Sequence, residues 1–219
     1  MPFGPSSFEN PASSLEFRIE EGMEGVLPEA FKADPFGYFE REGKNIKAGE
    51  IKYKEDGSIS DDPSAVKELP VWHGVSGKKI EAVGKKVNLE KSMIRKSGNP
   101  AYEYDLIKHI RAKGLSAATP VAFISRGNEH LMLTERITGY PWNSKTKLIL
   151  QGKGYTMEDM AQLEASAEAL MNKMKTDFEK AGIIRSAWEL KDMVIEIDPE
   201  TRKAIKITPT DWEKTRYEQ

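Results

Sequence analysis

The chain has 219 residues, 33 of them Lys or Arg and 35 Asp or Glu, for a formal net charge of -2, and it contains no cysteine. That length fits one ordinary domain with an extension, or two small ones, and is enough to bury a real core. Intermixed charges leave no broad basic surface for nucleic acid or anionic lipid, and the lack of thiols excludes disulfides, thiolate nucleophiles and cysteine metal sites.

Met1 to Ser14 is rich in Pro and Ser and is expected to be a mobile tail. No apolar run approaches the ~18 residues of a membrane span, and no basic segment followed by an apolar core opens the chain. The expectation is a soluble, cytoplasmic protein without a cleaved leader, with secretion as an effector left open. From Leu15 to Glu42 aromatic and apolar residues return, but Pro28 and Pro35 interrupt any long helix, so short docking helices are expected. Gly43 to Asp62 is polar and reads as a hairpin or loose linker. The organisation read from these shifts is an N-terminal extension over 1–62, a first lobe over 63–138 and a second over 139–219.

After Pro63, strand-like runs appear at Leu69 to His73, Lys79 to Val83 and Val87 to Arg95. Asn99 and Pro100 open a helix with Tyr102, Leu106, Ile107 and Ile110 at helical spacing, and Gly114 is placed to end it. Two more runs, Val121 to Ser125 and Leu131 to Ile137, flank the turn residues Arg126, Gly127 and Asn128, which reads as a hairpin. The spacing of Met157, Met160, Leu163, Leu170, Met171, Met174 and Phe178 predicts a long helix from Met157 to Lys180, capped by Thr156, with Gly182 past its end. Met193 to Ile197 and Ala204 to Thr208 then form a final hairpin.

The order of three strands, helix, two strands, helix and hairpin resembles the protein-kinase-like superfamily. The likeness is nearer to compact bacterial members, such as aminoglycoside phosphotransferases and lipopolysaccharide-core kinases, than to eukaryotic protein kinases. It implies a two-lobed α+β fold with a five-stranded antiparallel sheet and a reduced helical lobe, binding ATP and magnesium. Glu103, in the first turn of its helix, resembles the family's glutamate that holds a strand lysine against nucleotide phosphates. Lys91 is the expected partner, with Lys86 and Lys96 as alternatives, and an ordinary surface lysine as the bland reading. Gly74 and Gly77 resemble a shortened phosphate loop, although a plain hairpin turn explains them equally well. Glu135, Arg136 and Ile137, before Gly139, resemble the hinge whose backbone binds adenine; an edge strand with a glycine turn is the alternative.

After the long helix, kinases carry His-x-Asp-x-x-x-x-Asn and then a second metal-binding Asp. Here Asp192 falls at the Asn position, and Asp211, in Asp211-Trp212-Glu213, resembles the magnesium ligand; a surface Asp192 and a helix-capping Asp211 are the alternatives. Arg185, Ser186 and Ala187 occupy the His-x-Asp positions, so the expected general base is an alanine. A pseudokinase, an engineered replacement at 187, or a gapped alignment that brings Glu189 into the role each account for it. Only Lys214 to Gln219 follow the Asp211 segment, leaving no residues for the later helices of protein kinases, and the 15–42 region is expected to pack in their place. The functional expectation is a phosphotransferase to a protein hydroxyl or small molecule, weakened at Ala187. The alternative is a pseudokinase scaffold for a protein partner. His73, His109 and His130 show no metal-ligand spacing, and Trp72, Trp142, Trp188 and Trp212 are scattered, so neither metal binding by histidine nor a nucleic-acid surface is expected.

Overall fold

The computed structural model describes residues 14–46, 64–74, 77–89, 100–210, 212 and 215–217. Its first element is β1 (Leu15–Ile19), followed by α1 (Glu29–Ala33), α2 (Pro35–Glu42) and β2 (Lys44–Asn45). The helices here are short, and the two prolines bound them: Pro28 precedes α1, and Pro35 opens α2, where a missing N–H costs nothing. Asp34 caps α2 by accepting a 3.0 Å hydrogen bond from the Gly37 amide.

Next come β3 (Ser64–Glu68), the small hairpin β4 (Trp72–His73) and β5 (Lys79–Ile80), β6 (Ala82–Asn88) and α3 (Pro100–Ala112). Gly114, at φ +73°, takes the left-handed conformation that ends α3. The hairpin β7 (Pro120–Arg126) and β8 (Glu129–Glu135) leads to β9 (Tyr140–Pro141), α4 (Ser144–Gly152) and α5 (Met157–Lys180). A reciprocal capping box between Thr156 and Asp159 fixes the start of α5. The chain closes with β10 (Ile183–Arg185), a single 3-10 turn at Leu190–Asp192, β11 (Met193–Ile197), β12 (Ala204–Pro209) and β13 (Thr215–Tyr217).

One antiparallel sheet organises the first half, in the order β1-β7-β8-β6-β3-β2. Because side chains alternate across a strand, each face has its own cover. On one face Phe31, Phe36, Phe39 and Trp72 pack over Ala122, Ile124, Leu131 and Leu133. On the other, Leu106, Ile107 and Ile110 of α3 meet Phe123 and Met132, and this cluster continues into Phe178, Ile183 and Trp212. A third cluster joins Trp142, Leu150, Met160 and Leu163 to Ile195 and Ile207 under the β9-β11-β12 sheet.

Six strands replace the expected five, because β1 adds to the edge of β7, with Phe17 opposite Ile124. The 15–42 region therefore covers the sheet and does not stand in for later helices; its aromatic residues fill the face opposite α3. The early strands also differ from expectation. Leu69 to His73 and Lys79 to Val83 contribute the two-residue hairpin β4-β5, while the sheet strands are Ser64–Glu68 and Ala82–Asn88. Two lysines and a glycine in Ala82–Asn88 hide its strand character from an apolar-run reading. The expected tail, most of the 43–62 linker and the far end of the Val87 to Arg95 run lie outside the described residues.

Candidate functional site

Strand β6 pairs with β8 so that Lys85 lies opposite Met132, on the face that carries α3. Glu103 sits in the first turn of α3, and its Oε2 accepts a hydrogen bond from Lys85 Nζ at 2.8 Å. The Glu103 side chain is 8% exposed and that of Lys85 22%. A carboxylate this deep needs an opposite charge, since an unpaired ion in the interior costs several kcal/mol or more.

Among the described residues, the strand lysine that meets Glu103 is Lys85, not Lys86. Lys91 and Lys96 fall outside the described residues. Lys86 points to the opposite face and is ion-paired to Glu40 of α2, whose other carboxylate oxygen accepts from Lys67 at 2.6 Å. Between the two pairs lies Gly84, where a Cβ would come within 2.7 Å of the Phe39 ring, so only glycine lets α2 pack this closely. Period-two reading carried the missing signal: Val83, Lys85 and Val87 share one face, and a lysine flanked by valines on a covered face calls for a partner.

Gly74 and Gly77 form the tip of β4-β5. Their amides donate within the turn, to the carbonyls of Lys78 at 2.7 Å and Gly74 at 2.9 Å, and Gly77 has φ +78°. The hairpin-turn alternative describes these two glycines; neither amide is aimed at a ligand. At the end of β8, the Glu135 amide donates to Thr119 at 2.7 Å and the Arg136 amide to Glu81 at 2.6 Å. The Arg136 guanidinium is ion-paired with Glu68. Of the three expected hinge residues, only Ile137 has an amide outside these bonds.

After α5, β10 delivers Arg185 into the interior, its side chain 3% exposed. Its guanidinium lies 5.5 Å from the ring centre of Trp188 and 5.7 Å from that of Trp212, and its Nε donates to the Ala187 carbonyl at 2.8 Å. A terminal nitrogen stands 3.9 Å from Asp192 Oδ2. Arginine suits this place because its flat, weakly hydrated cation stacks between aromatic faces while keeping its in-plane donors. Ala187 offers no proton acceptor, and Glu189 is a half-exposed carboxylate bound to Lys191, whose ammonium it holds above the ordinary pKa.

The Asp192 carbonyl accepts from both the amide and the hydroxyl of Thr210, at 3.0 and 3.1 Å, so the loop before β11 is tied to the residue preceding Asp211. Asp211 itself is outside the described residues. Among the described residues no group of three or more His, Asp or Glu side chains is arranged to hold a metal ion. Of the two expected metal ligands, Asp192 is the one among the described residues, and its carboxylate faces the Arg185 guanidinium.

Two surface depressions, of about 210 and 350 Å³, adjoin Leu115, Ser116 and Lys206, and none of the candidate residues lines them. Among the described residues no helix is long and apolar enough to cross a membrane.

No protein-family model matches the sequence, and no curated protein matches it. Among solved structures it is similar to the crystal structure of the BubR1 kinase domain, at 13% identity and a TM-score of 0.49, over 70% of this chain. That match covers 44% of the BubR1 chain, so this protein spans less than half of its length. At this level the likeness carries no functional argument.

Proposed function

We propose that this chain is a kinase-like protein that binds ATP and magnesium between its antiparallel sheet and a reduced helical lobe. One observation carries the reading: the Lys85–Glu103 pair, in which a lysine from a covered strand meets a buried glutamate in the first turn of the next helix. In kinases such a pair positions a cation on the nucleotide phosphates. The run Ala82-Val83-Gly84-Lys85 resembles the kinase Val-Ala-Ile-Lys strand, and with β1 and the separate small hairpin β4-β5 set aside, β2, β3, β6, α3, β7 and β8 follow as three strands, a helix and two strands.

In this reading the backbone near Ile137 holds adenine, Lys85 holds phosphate, and Asp192 with Asp211 holds magnesium, which neutralises phosphate charge when bound. The acceptor is a protein hydroxyl or a small molecule. With Ala187 at the base position, the acceptor proton has no carboxylate to receive it, and transfer rests on positioning and charge neutralisation alone. That same residue favours the second reading, a pseudokinase that serves a protein partner as a scaffold.

Calorimetry with Mg-ATP on the chain, on Lys85→Met and on Asp211→Ala tests the site. Binding to the parent that is lost in both variants is the expected result; no binding to the parent overturns it. Ala187→Asp then separates the two readings. The enzyme reading expects ATP turnover to rise by about a hundredfold or more, and the scaffold reading expects none.

A further inference from the structure

Helix α3, which carries Glu103, is held on two flanks. On one, Arg18 pairs with Asp105 at 3.0 Å, and Glu20 accepts from Tyr104 at 2.6 Å and pairs with Lys108 at 2.8 Å. On the other stands Tyr217. Its ring stacks on His109 at 4.7 Å with 21° between planes, and on Tyr102 at 5.8 Å with 12°. Residues 102 and 109 are two helical turns apart on one face, so one ring spans the stretch of α3 that begins next to Glu103.

Tyr217 is fixed from behind. Its strand β13 pairs with β10, placing Tyr217 opposite Ile183 and Thr215 opposite Arg185. Thr215 and Ile183 are buried, and Ile183 belongs to the cluster built around Phe178. A three-residue strand therefore links the Arg185 loop at one end to the rim of α3 at the other. The Lys85–Glu103 hydrogen bond tolerates only a few tenths of an ångström before it weakens, so a roll of α3 toward its Glu20 flank would open it.

We propose that Tyr217 is a positioning residue for the Lys85–Glu103 pair, its ring clamping α3 against β13 and coupling the Arg185–Asp192 loop to the strand lysine. The effect on the ion pair stands independently of ligand. The effect on nucleotide affinity rests on the nucleotide-site reading above.

Acylation of lysines by an amine-reactive ester, read residue by residue by mass spectrometry on the full chain, tests the clamp. Lys67, buried under α2, reports whether the sheet stays intact. In Tyr217→Ala, Lys85 is expected to react about threefold faster or more, the scale of losing an aromatic stack, with Lys67 unchanged. Tyr217→Phe, which keeps the ring, should react as the parent does. Equal Lys85 rates in parent and Tyr217→Ala, or an equal rise in Tyr217→Phe, overturn the proposal. If Lys67 rises together with Lys85, the alanine variant has loosened as a whole, and His109→Ala decides: Lys85 must speed up there with Lys67 unchanged, or the clamp is refuted. Mg-ATP affinity measured on the same proteins should fall in step with Lys85 exposure. A Lys85 response without ATP binding to any of them retains the clamp and overturns the nucleotide reading.

Discussion

Lys85 and Lys86 are neighbours in one strand, yet they bind carboxylates from opposite sides of the sheet. Lys85 meets Glu103, a side chain 8% exposed on α3, while Lys86 shares Glu40 with Lys67 on α2, where the carboxylate is 46% exposed. The first pair keeps a buried charge compensated at a covered site. The second ties an N-terminal helix to two strands through a half-exposed carboxylate and contributes less, because water screens that carboxylate and the side chains lose entropy in forming the pairs. Strand alternation alone assigns these separate duties to adjacent, chemically identical residues.

The largest effect should come from the packing beneath the second pair. Phe39 is fully buried over Gly84, and Phe39→Ala should cost about 3–5 kcal/mol in chemical denaturation. A loss below ~1 kcal/mol would mean that the 15–42 layer adds little to the fold. Glu103→Gln comes next, at about 1–3 kcal/mol, because it removes the buried negative charge set 2.8 Å from the Lys85 ammonium. A cost no larger than that of an exposed pair would erase the contrast between the two faces.

Glu40→Gln should cost less than about 1 kcal/mol near neutrality, and its pH dependence sharpens the contrast. Burial works to raise the Glu40 pKa, but the hydrogen bonds from Lys67 and Lys86 outweigh it and hold it below the ordinary carboxylate value. A depressed folded value means that this stabilisation is fully present above the unfolded pKa, about 4.3, and fades as pH falls through the folded value. The stability gap between parent and variant should therefore close on acidification; a gap that widens contradicts the assignment.

His130 should give the smallest effect. Burial holds its pKa below the ordinary value, and its Nδ1 is buried with no hydrogen-bond partner among the described residues. The unfolded chain takes up the proton first, so the parent loses stability as pH falls below about 6.5. His130→Phe should flatten that part of the urea-midpoint profile, and an unchanged slope would assign it elsewhere.

Much of the second half was legible in the sequence. Thr156 and Gly182 bracket α5 because a cap and a left-handed glycine act within a turn of the helix they bound, and the apolar spacing between them is periodic. Gly114 ends α3 for the same reason. Less visible were α4, for all that Asn143 caps it with a 2.9 Å bond, and the short strands β9, β10 and β13, each held by a distant partner. Around the candidate site, Glu103 and Asp192 could be named from position in a pattern. Lys85 could not be named by proximity to the helix, since the loop between them says nothing about which lysine faces it.

The sequence by itself determined the local elements and the charge types available to a site: a capped long helix, a glycine-terminated short one, and a loop with Ala187 where a base is expected. Only the tertiary structure decided that Leu15–Ile19 joins the sheet beside β7, that α2 covers Gly84, and that Lys85 meets Glu103 while Lys86 turns to Glu40. Caps and periodicity act over a few residues and leave a mark in the chain. Strand pairing and choice of face depend on register between distant segments, where a slip of one residue exchanges Lys85 for Lys86.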